Sequence, residues 1–432
     1  MEHLVILSLL SIFFPLIFIP FFILLKRGKT YFYVLQTCLH LGLLFSLYLV
    51  LQQVGGFELS FAVFHFSFRL DLFVFAFAIM FSNFLIMFYN IGHGYVSSAL
   101  YDSFLCLLLS SLFGSVFASD LLTIFIFLDL TLFSAGYLIF SIREAVKAAY
   151  KYVFLNILAS IFLLGGIFLY SSYLGTYEIL PLPSDFGIVS FFLLLGLFIK
   201  AGVFPFHLWV PDAYSKSPIP VACLLSGGAG AITLLSIYKL LPLILFPEVL
   251  RFFGMITALF ASLIAIDPRL NLRKTFSYFC IAETGFVIYA LGLNSSMAIF
   301  GAFILVLTQT FAKSLLFSFA GLITEEHGVL PRHYSWALFG LLVGGFSVSG
   351  LPITGGFVGK FAIISAAYQT GSILGLVLFP LSSFFLVLAL LKVYERFSQL
   401  KRIRKAHYTT LLSILMFSLI NIIIGLSFIG LL

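Results

Sequence analysis

Residues 191–212 read FFLLLGLFIKAGVFPFHLWVPD: nine apolar residues, Lys200, and then an apolar stretch carrying Gly202 and Pro205. A lysine at the centre of an apolar helix costs at least ~2.5–3.5 kcal/mol on membrane-insertion scales, so it persists only where other groups hold it. Glycine and proline just beyond it break the helix, and the freed backbone groups need protein or water around them. The stretch therefore reads as one span of a membrane bundle whose interior is charged and partly hydrated.

Composition agrees with this reading. Of 432 residues, 62% are hydrophobic and 9% charged, against roughly 25% charged in a soluble domain. That is too little polar material to cover a water-facing surface, so lipid is the main solvent. The first apolar run, 4–25, exceeds a signal-peptide core and has no small-residue cleavage site behind it, which predicts a retained helix. A net charge of +7 does not point to nucleic acid, because the basic residues sit in short loops where they meet lipid headgroups. Cys38, Cys106, Cys223 and Cys280 lie singly in separate apolar stretches. Without paired spacing, no disulfide, zinc, iron–sulfur cluster or other cofactor is expected.

About 20 residues of helix cross a bilayer. Cutting at polar, glycine and proline punctuation predicts fourteen segments: 4–25, 31–54, 70–91, 99–118, 121–140, 152–173, 187–210, 221–246, 249–266, 276–292, 297–323, 335–368, 372–395 and 408–429. The twelfth is too long for one straight span, and Ser349-Gly350-Leu351-Pro352 with Gly355-Gly356 predicts a break in mid-membrane. Seventeen of the 23 basic residues fall in loops after odd-numbered segments: Lys26, Arg27, Lys29; Arg143, Lys147, Lys151; Lys216; Arg269, Arg273, Lys274; Arg332; and Lys392, Arg396, Lys401, Arg402, Arg404, Lys405. Arg69 and Arg251 follow even-numbered segments and Lys239 ends the eighth. This asymmetry puts both termini outside the cytoplasm.

The three remaining lysines, Lys200, Lys313 and Lys360, lie inside spans, as do Asp129 and Glu283. Any one of these charges is explained by a structural pair or by snorkelling. Five together form the chain of ionisable groups that a proton relay requires. Segments four to eight and nine to thirteen also read as two sets of five, the odd number that inverts a second copy, as in many transporters. Asp129 and Glu283 then share the second position of a set, and Lys200 and Lys360 the fourth. The expected organisation is three N-terminal helices (1–98), two five-helix repeats (99–246 and 247–396) and a C-terminal helix (397–432). The fold class is an all-α polytopic membrane protein with about fourteen transmembrane helices, two inverted five-helix repeats and broken helices within them.

Residues 197–214 (LFIKAGVFPFHLWVPDAY) and 217–221 (SPIPV) closely resemble the signature of the antiporter-like subunits. That family serves respiratory complex I, the multisubunit Mrp cation/proton antiporters and the membrane-bound nickel–iron hydrogenases. The likeness extends over about residues 65 to 395. It takes in 68–72 (FRLDL), 120–130 with Asp129, 271–278 (NLRKTFSY), 309–317 (QTFAKSLLF) and 350–360 with Pro352, Gly356 and Lys360. The resemblance implies fourteen helices with inverted repeats and a hydrated charged axis at the membrane midplane. Asp129 matches a position usually glutamate, paired with the lysine at Lys200, while Lys313 and Lys360 match the later lysines of the axis. Pro205, His207, Asp212, Ser226, Gln309, Pro352 and Gly356 are the supporting positions.

Departures from the pattern are specific. Asp129 is one methylene short, which predicts a longer or water-bridged pairing with Lys200. Ser226, in Ser226-Gly227-Gly228-Ala229-Gly230, stands where the family carries a helix-eight lysine or histidine, leaving a gap for water or Thr233 to cover. Gln309 replaces a frequent histidine, and Glu283 stands where glutamine or histidine is common. A chain ending at Leu432 is expected to lack the lateral helix of the largest members. The glycine-rich 227–230 stretch reads as close helix packing rather than a phosphate loop.

The resemblance implies a proton- or sodium-translocating subunit in a prokaryotic plasma membrane, within a redox-driven complex of the hydrogenase, sulfur-reducing or complex I type. Its partners would be other membrane subunits and a redox module with iron–sulfur proteins; alone, the chain would not be catalytic. Membership of an Mrp-type Na+/H+ antiporter, or a non-conducting scaffold role, are the alternatives. His3, His40, His65 and His93 fall outside the matched axis and read as structural or interfacial.

Overall fold

The computed structural model describes residues 2–20, 29–61, 63–93, 98–323, 329–331, 334–398, 402–404 and 408–430. Among the loop cations, Lys26, Arg27, Arg332, Lys401 and Lys405 lie outside these residues, as do the side chains of His3 and His93. The described chain is almost entirely helical. Twelve helices are long and apolar enough to cross a membrane, and two shorter apolar ones cover Val5–Ile17 and Ser335–Ser349. Together they account for the fourteen expected segments.

In chain order the helices are α1 (Glu2–Ile17), α2 (Lys29–Val54), α3 (Leu70–His93), α4 (Ala99–Phe117), α5 (Leu121–Phe140), α6 (Val146–Leu174), α7 (Gly187–Ala201), α8 (Val210–Lys216), α9 (Ile219–Cys223), α10 (Gly230–Lys239), α11 (Pro247–Ala265), α12 (Leu272–Leu293), α13 (Ser296–Leu322), α14 (Tyr334–Ser349), α15 (Gly355–Gln369), α16 (Ile373–Ser398) and α17 (Tyr408–Ile429). The chain divides into two compact units. The first is Met1–Met87, Tyr95–Lys200 and Leu235–Leu245; the second is Phe88–Gly94, Ala201–Leu234 and Phe246–Leu432.

Helix α6 shows how such sequences fold in lipid. Phe154, Ile161 and Phe168 point outward, whereas Tyr152, Asn156 and Ser160 are buried. Polar groups face the protein interior because there alone they find partners. Helix starts follow capping chemistry: the side chains of Asp120 and Asn271 accept hydrogen bonds from Thr123 N and Lys274 N, each at 2.9 Å. These bonds satisfy amides that a helix N-terminus leaves orphaned.

The broken helices are present. After α7, Gly202 takes a φ of 68°, and a short 3-10 turn, Phe206–Trp209, leads into α8. Between α14 and α15, Gly350 and Ile353 have φ values of 78° and 77°. Two features went unpredicted. A π-helical turn, Leu224–Ala229, interrupts the eighth span between α9 and α10. Residues 57–68 form a hairpin, β1 (Phe57–Phe61) antiparallel to β2 (Phe64–Phe68). Its Phe68 stacks 4.7 Å from Phe117, and its His65 N donates to Thr123 Oγ1 at 3.0 Å. His65 lies on this hairpin beside Ser60, and buried His40 bonds the Ser11 carbonyl at 2.8 Å and packs on Phe113.

Candidate functional site

Lys200 sits at the last turn of α7, one turn beyond Gly196. A Cβ on Gly196 would lie 2.6 Å from Leu163 Cγ and 2.7 Å from the Ala159 carbonyl, so only glycine lets α7 approach α6 there. Gly136 likewise lets α5 approach Val153 of α6. This small-residue packing brings three helices together around one charge. Lys200 Nζ lies 2.9 Å from Asp129 Oδ1 and 3.0 Å from Ser160 Oγ, while Ser160 Oγ lies 2.6 Å from the same carboxylate oxygen. The expected long or water-bridged pairing is corrected: close helix approach makes up for the missing methylene. Ser160 was not among the expected residues. Its signal was the stripe Tyr152, Asn156, Ser160, polar at every fourth position of an apolar helix.

In the second unit Lys360 is buried on α15. Its Nζ donates to the Val348 carbonyl at 2.6 Å, contacts Glu283 Oε1 at 2.9 Å, and lies 3.9 Å from the centre of the Phe286 ring. The Glu283 contact is an ion contact without hydrogen-bond alignment at Oε1. Glu283 Oε2 accepts from Gln309 Nε2 at 2.7 Å. Val348 is free to bind Lys360 for a covalent reason. The amide that would reach its carbonyl in a continuous helix belongs to Pro352, which has no N–H. Gly350 completes the site, because a Cβ there would lie 2.5 Å from Lys360 Cδ. Gly356 permits the restart of the helix, since its Cβ would lie 1.8 Å from the Ser347 carbonyl oxygen.

Lys313, buried on α13, has no hydrogen-bond or ion-pair partner among the described residues. The π-helical turn packs against its helix: a Cβ on Gly227 would meet the Thr310 carbonyl at 2.6 Å, and Thr310 Oγ1 donates to the Gly227 carbonyl at 3.1 Å. Close packing thus accounts for Gly227. Ser226 donates to the Cys223 carbonyl at 3.3 Å, and Thr233 to the Ala229 carbonyl at 2.9 Å. Both hydroxyls satisfy their own helix.

The remaining expected residues stand apart from these pairs. Pro205 begins the 3-10 turn after α7, and buried His207 stacks on Phe204 with ring centres 5.4 Å apart. Asp212 pairs with Lys274 at 3.6 Å. Lys239 is a charge given no role by the sequence. It donates to the carbonyls of Ser115, Val116 and Ala118 at 3.1, 2.6 and 2.7 Å. It thus caps the C-terminus of α4, where unpaired carbonyls and the helix dipole favour a cation.

The chain has relatives among known proteins. A 27% identical match over 312 residues joins the chain to NADH-quinone oxidoreductase subunit N of Desulforudis audaxviator, covering 66% of this chain and 62% of that protein. A Na+/H+ antiporter subunit of Alkalihalophilus pseudofirmus is 26% identical over 285 residues, covering 60% of this chain and 58% of that one. The chain thus spans about three fifths of the length of these relatives. Among solved structures, a chain of the Mrp complex from Dietzia sp. DQ12-45-1b superposes with a TM-score of 0.89 at 18% identity, covering 100% of this chain and 96% of its own. A chain of the archaeal membrane-bound sulfane sulfur reductase gives 0.87 at 21% identity, covering 99% and 94%. These two share the fold. Residues 118–385 match the family model described as NADH:quinone oxidoreductase/Mrp antiporter, TM. That match covers well over half of the chain, and the chain belongs to this family of membrane proteins.

Proposed function

We propose that this chain translocates protons, or sodium ions, as an antiporter-like subunit of a multisubunit complex in a prokaryotic plasma membrane. The observation that carries the proposal is the recurrence of one device: a buried lysine, held by a carboxylate from another helix, beside a broken helix. Lys200 with Asp129 and Lys360 with Glu283 are its two instances. A buried ammonium persists only while such a partner offsets its desolvation. Opening either pair makes the lysine a proton donor, and closing it restores an acceptor. Lys313, without a direct partner among the described residues, is the intermediate station. Neither the charged groups nor the chain's motifs supply a reaction of their own, so the driving event is assigned to partners. By analogy with the relatives these are membrane subunits and a redox module with iron–sulfur proteins. Charge asymmetry supports both termini outside the cytoplasm, and the repeat positions of the two pairs support five-helix repeats over 99–246 and 247–396. A second reading, a subunit of a cation/proton antiporter without a redox module, is favoured by the likeness to the Na+/H+ antiporter of Alkalihalophilus pseudofirmus.

The test is Lys200→Ala, purified with its native partners and reconstituted in vesicles. Coupled ion pumping is expected to disappear while the complex still assembles. Full pumping by this variant overturns the proposal, and a scaffold role then stands in its place.

A further inference from the structure

Between the Lys360–Glu283 pair and the exposed turn after α15 runs an unbroken line of aromatic side chains. Lys360 Nζ rests 3.9 Å from the centre of Phe286. Phe286 meets Phe379 of α16 edge-on, with ring centres 4.5 Å apart, and Phe379 lies 4.4 Å from Tyr289. Tyr289 Oη then donates to Ser372 Oγ at 2.8 Å. Ser372 sits in the turn next to Gly371, whose φ is 67°, and Thr370, Gly371 and Ile373 are exposed. Phe286, Phe379 and Tyr289 are 0%, 2% and 0% exposed, so no water reaches the lysine past these rings as they stand. The first helical turn of α16 is shaped around the tyrosine: a Cβ on Gly375 would lie 1.8 Å from Tyr289 Oη.

We propose that Phe286 and Phe379 form a dry aromatic gate between Lys360 and the Tyr289–Ser372 hydroxyl pair, through which the proton leaves this lysine for the membrane surface. The inference rests on the proton-translocating reading above and adds where, and past what barrier, the proton is released. An apolar constriction blocks ions by excluding water and conducts once it wets. Attraction between the ammonium and the Phe286 face favours the sealed state while Lys360 is charged and held by Glu283. When the pair opens, the rings part and a water file enters. The Lys360 Nζ–H bond breaks, leaving a neutral amine, and the proton passes to water. Tyr289 takes a proton from that file as it hands its own to Ser372 Oγ, so the tyrosine ends as it began. Ser372 then releases a proton to bulk water.

The experiment uses the whole complex in vesicles loaded with a pH-sensitive dye, and reads both passive proton leak and driven pumping. Phe379→Ala is expected to raise the passive leak severalfold by leaving a gap that water fills. Phe379→Leu, which keeps the site apolar and filled, should leak no more than the unaltered protein, which assigns the leak of Phe379→Ala to the gap it opens. Tyr289→Phe and Gly375→Ala should both lower driven pumping with no change in leak. Lys200→Ala runs beside them: if it pumps normally the translocation reading itself fails. If Lys200→Ala abolishes pumping while Phe379→Ala leaks no more than Phe379→Leu, the gate alone is overturned. Should Phe379→Ala fail to assemble, unchanged pumping by both Tyr289→Phe and Gly375→Ala overturns the gate in its place.

Discussion

At the scale of residues, the Asp129–Ser160–Lys200 cluster asks what a buried ion pair costs when half of it is removed. Lys200 and Asp129 side chains are 4% and 19% exposed, so either charge left alone is poorly hydrated. Breaking a buried pair by removing one partner typically costs about 3–5 kcal/mol, whereas replacing both by apolar groups is often neutral. Asp129→Ala is therefore expected to lower the thermal unfolding midpoint of the purified complex, and Asp129→Ala with Lys200→Met to recover most of the loss. Ser160→Ala, which removes hydrogen bonds to both charged groups, should cost at least about 1.5–3 kcal/mol. A double variant no more stable than Asp129→Ala would mean that uncompensated charge is not what the pair controls. The lysine and the aspartate were legible in the sequence because a charge in an apolar run is rare. Ser160 was not, because a serine in a membrane helix most often bonds its own backbone, and only the approach of α7 at Gly196 turns it toward the pair.

Helix breaks belong to the scale of elements. Both breaks beside a lysine were legible, since Gly202 with Pro205 and Gly350 with Pro352 remove either the constraint on φ or the amide donor. The π-helical turn at 224–229 was not. Gly227 announces close packing, but the turn meets α13 through the Thr310 hydroxyl, which bonds the Gly227 carbonyl, a contact no local pattern encodes. The hairpin at 57–68 did leave a trace, the strict alternation of Phe57-Glu58-Leu59-Ser60-Phe61 and Phe64-His65-Phe66-Ser67-Phe68, hidden because hydropathy windows register only long apolar runs. At the second break, Gly350→Ala puts a methyl group 2.5 Å from Lys360 Cδ and a Cβ on a residue with φ 78°. Backbone strain of this kind costs about 1–3 kcal/mol, and the methyl also displaces the lysine from the Val348 carbonyl. Driven pumping is expected to fall sharply in Gly350→Ala, with Lys360→Ala adding little further loss. Pumping at the unaltered rate would show that Val348 does not hold the working position of Lys360.

For the whole molecule, hydropathy carried the helical class and the span count, because an apolar run of about 20 residues crosses a bilayer as a helix that bonds its own backbone. Its orientation is the step that charge adds, and the second unit offers a physical check on the charge count. Cations from two odd-numbered loops gather there with acceptors from a third. Lys392 donates to the Ile266 carbonyl at 3.0 Å and Arg396 to the Leu270 carbonyl. Arg273 donates to the Ser217 carbonyl and Lys274 pairs with Asp212. In the same loop Arg269 forks onto Asp267, whose carboxyl is lowered from 3.8 to about 2 by those hydrogen bonds. A depressed carboxylate contributes stability above its unfolded value and loses it only as pH falls through about 2, so this loop keeps its charges across any pH at which vesicles are assayed. In a background with Cys38→Ser, Arg269→Cys is expected to react with a membrane-impermeant maleimide only from the cytoplasmic side, and Glu248→Cys, in the first turn of α11 at its other end, only from the opposite side. Both parent side chains are open to solvent, at 88% and 69%. Labelling of both from one face would break the alternation of loops, and the reverse assignment would put both termini inside the cytoplasm.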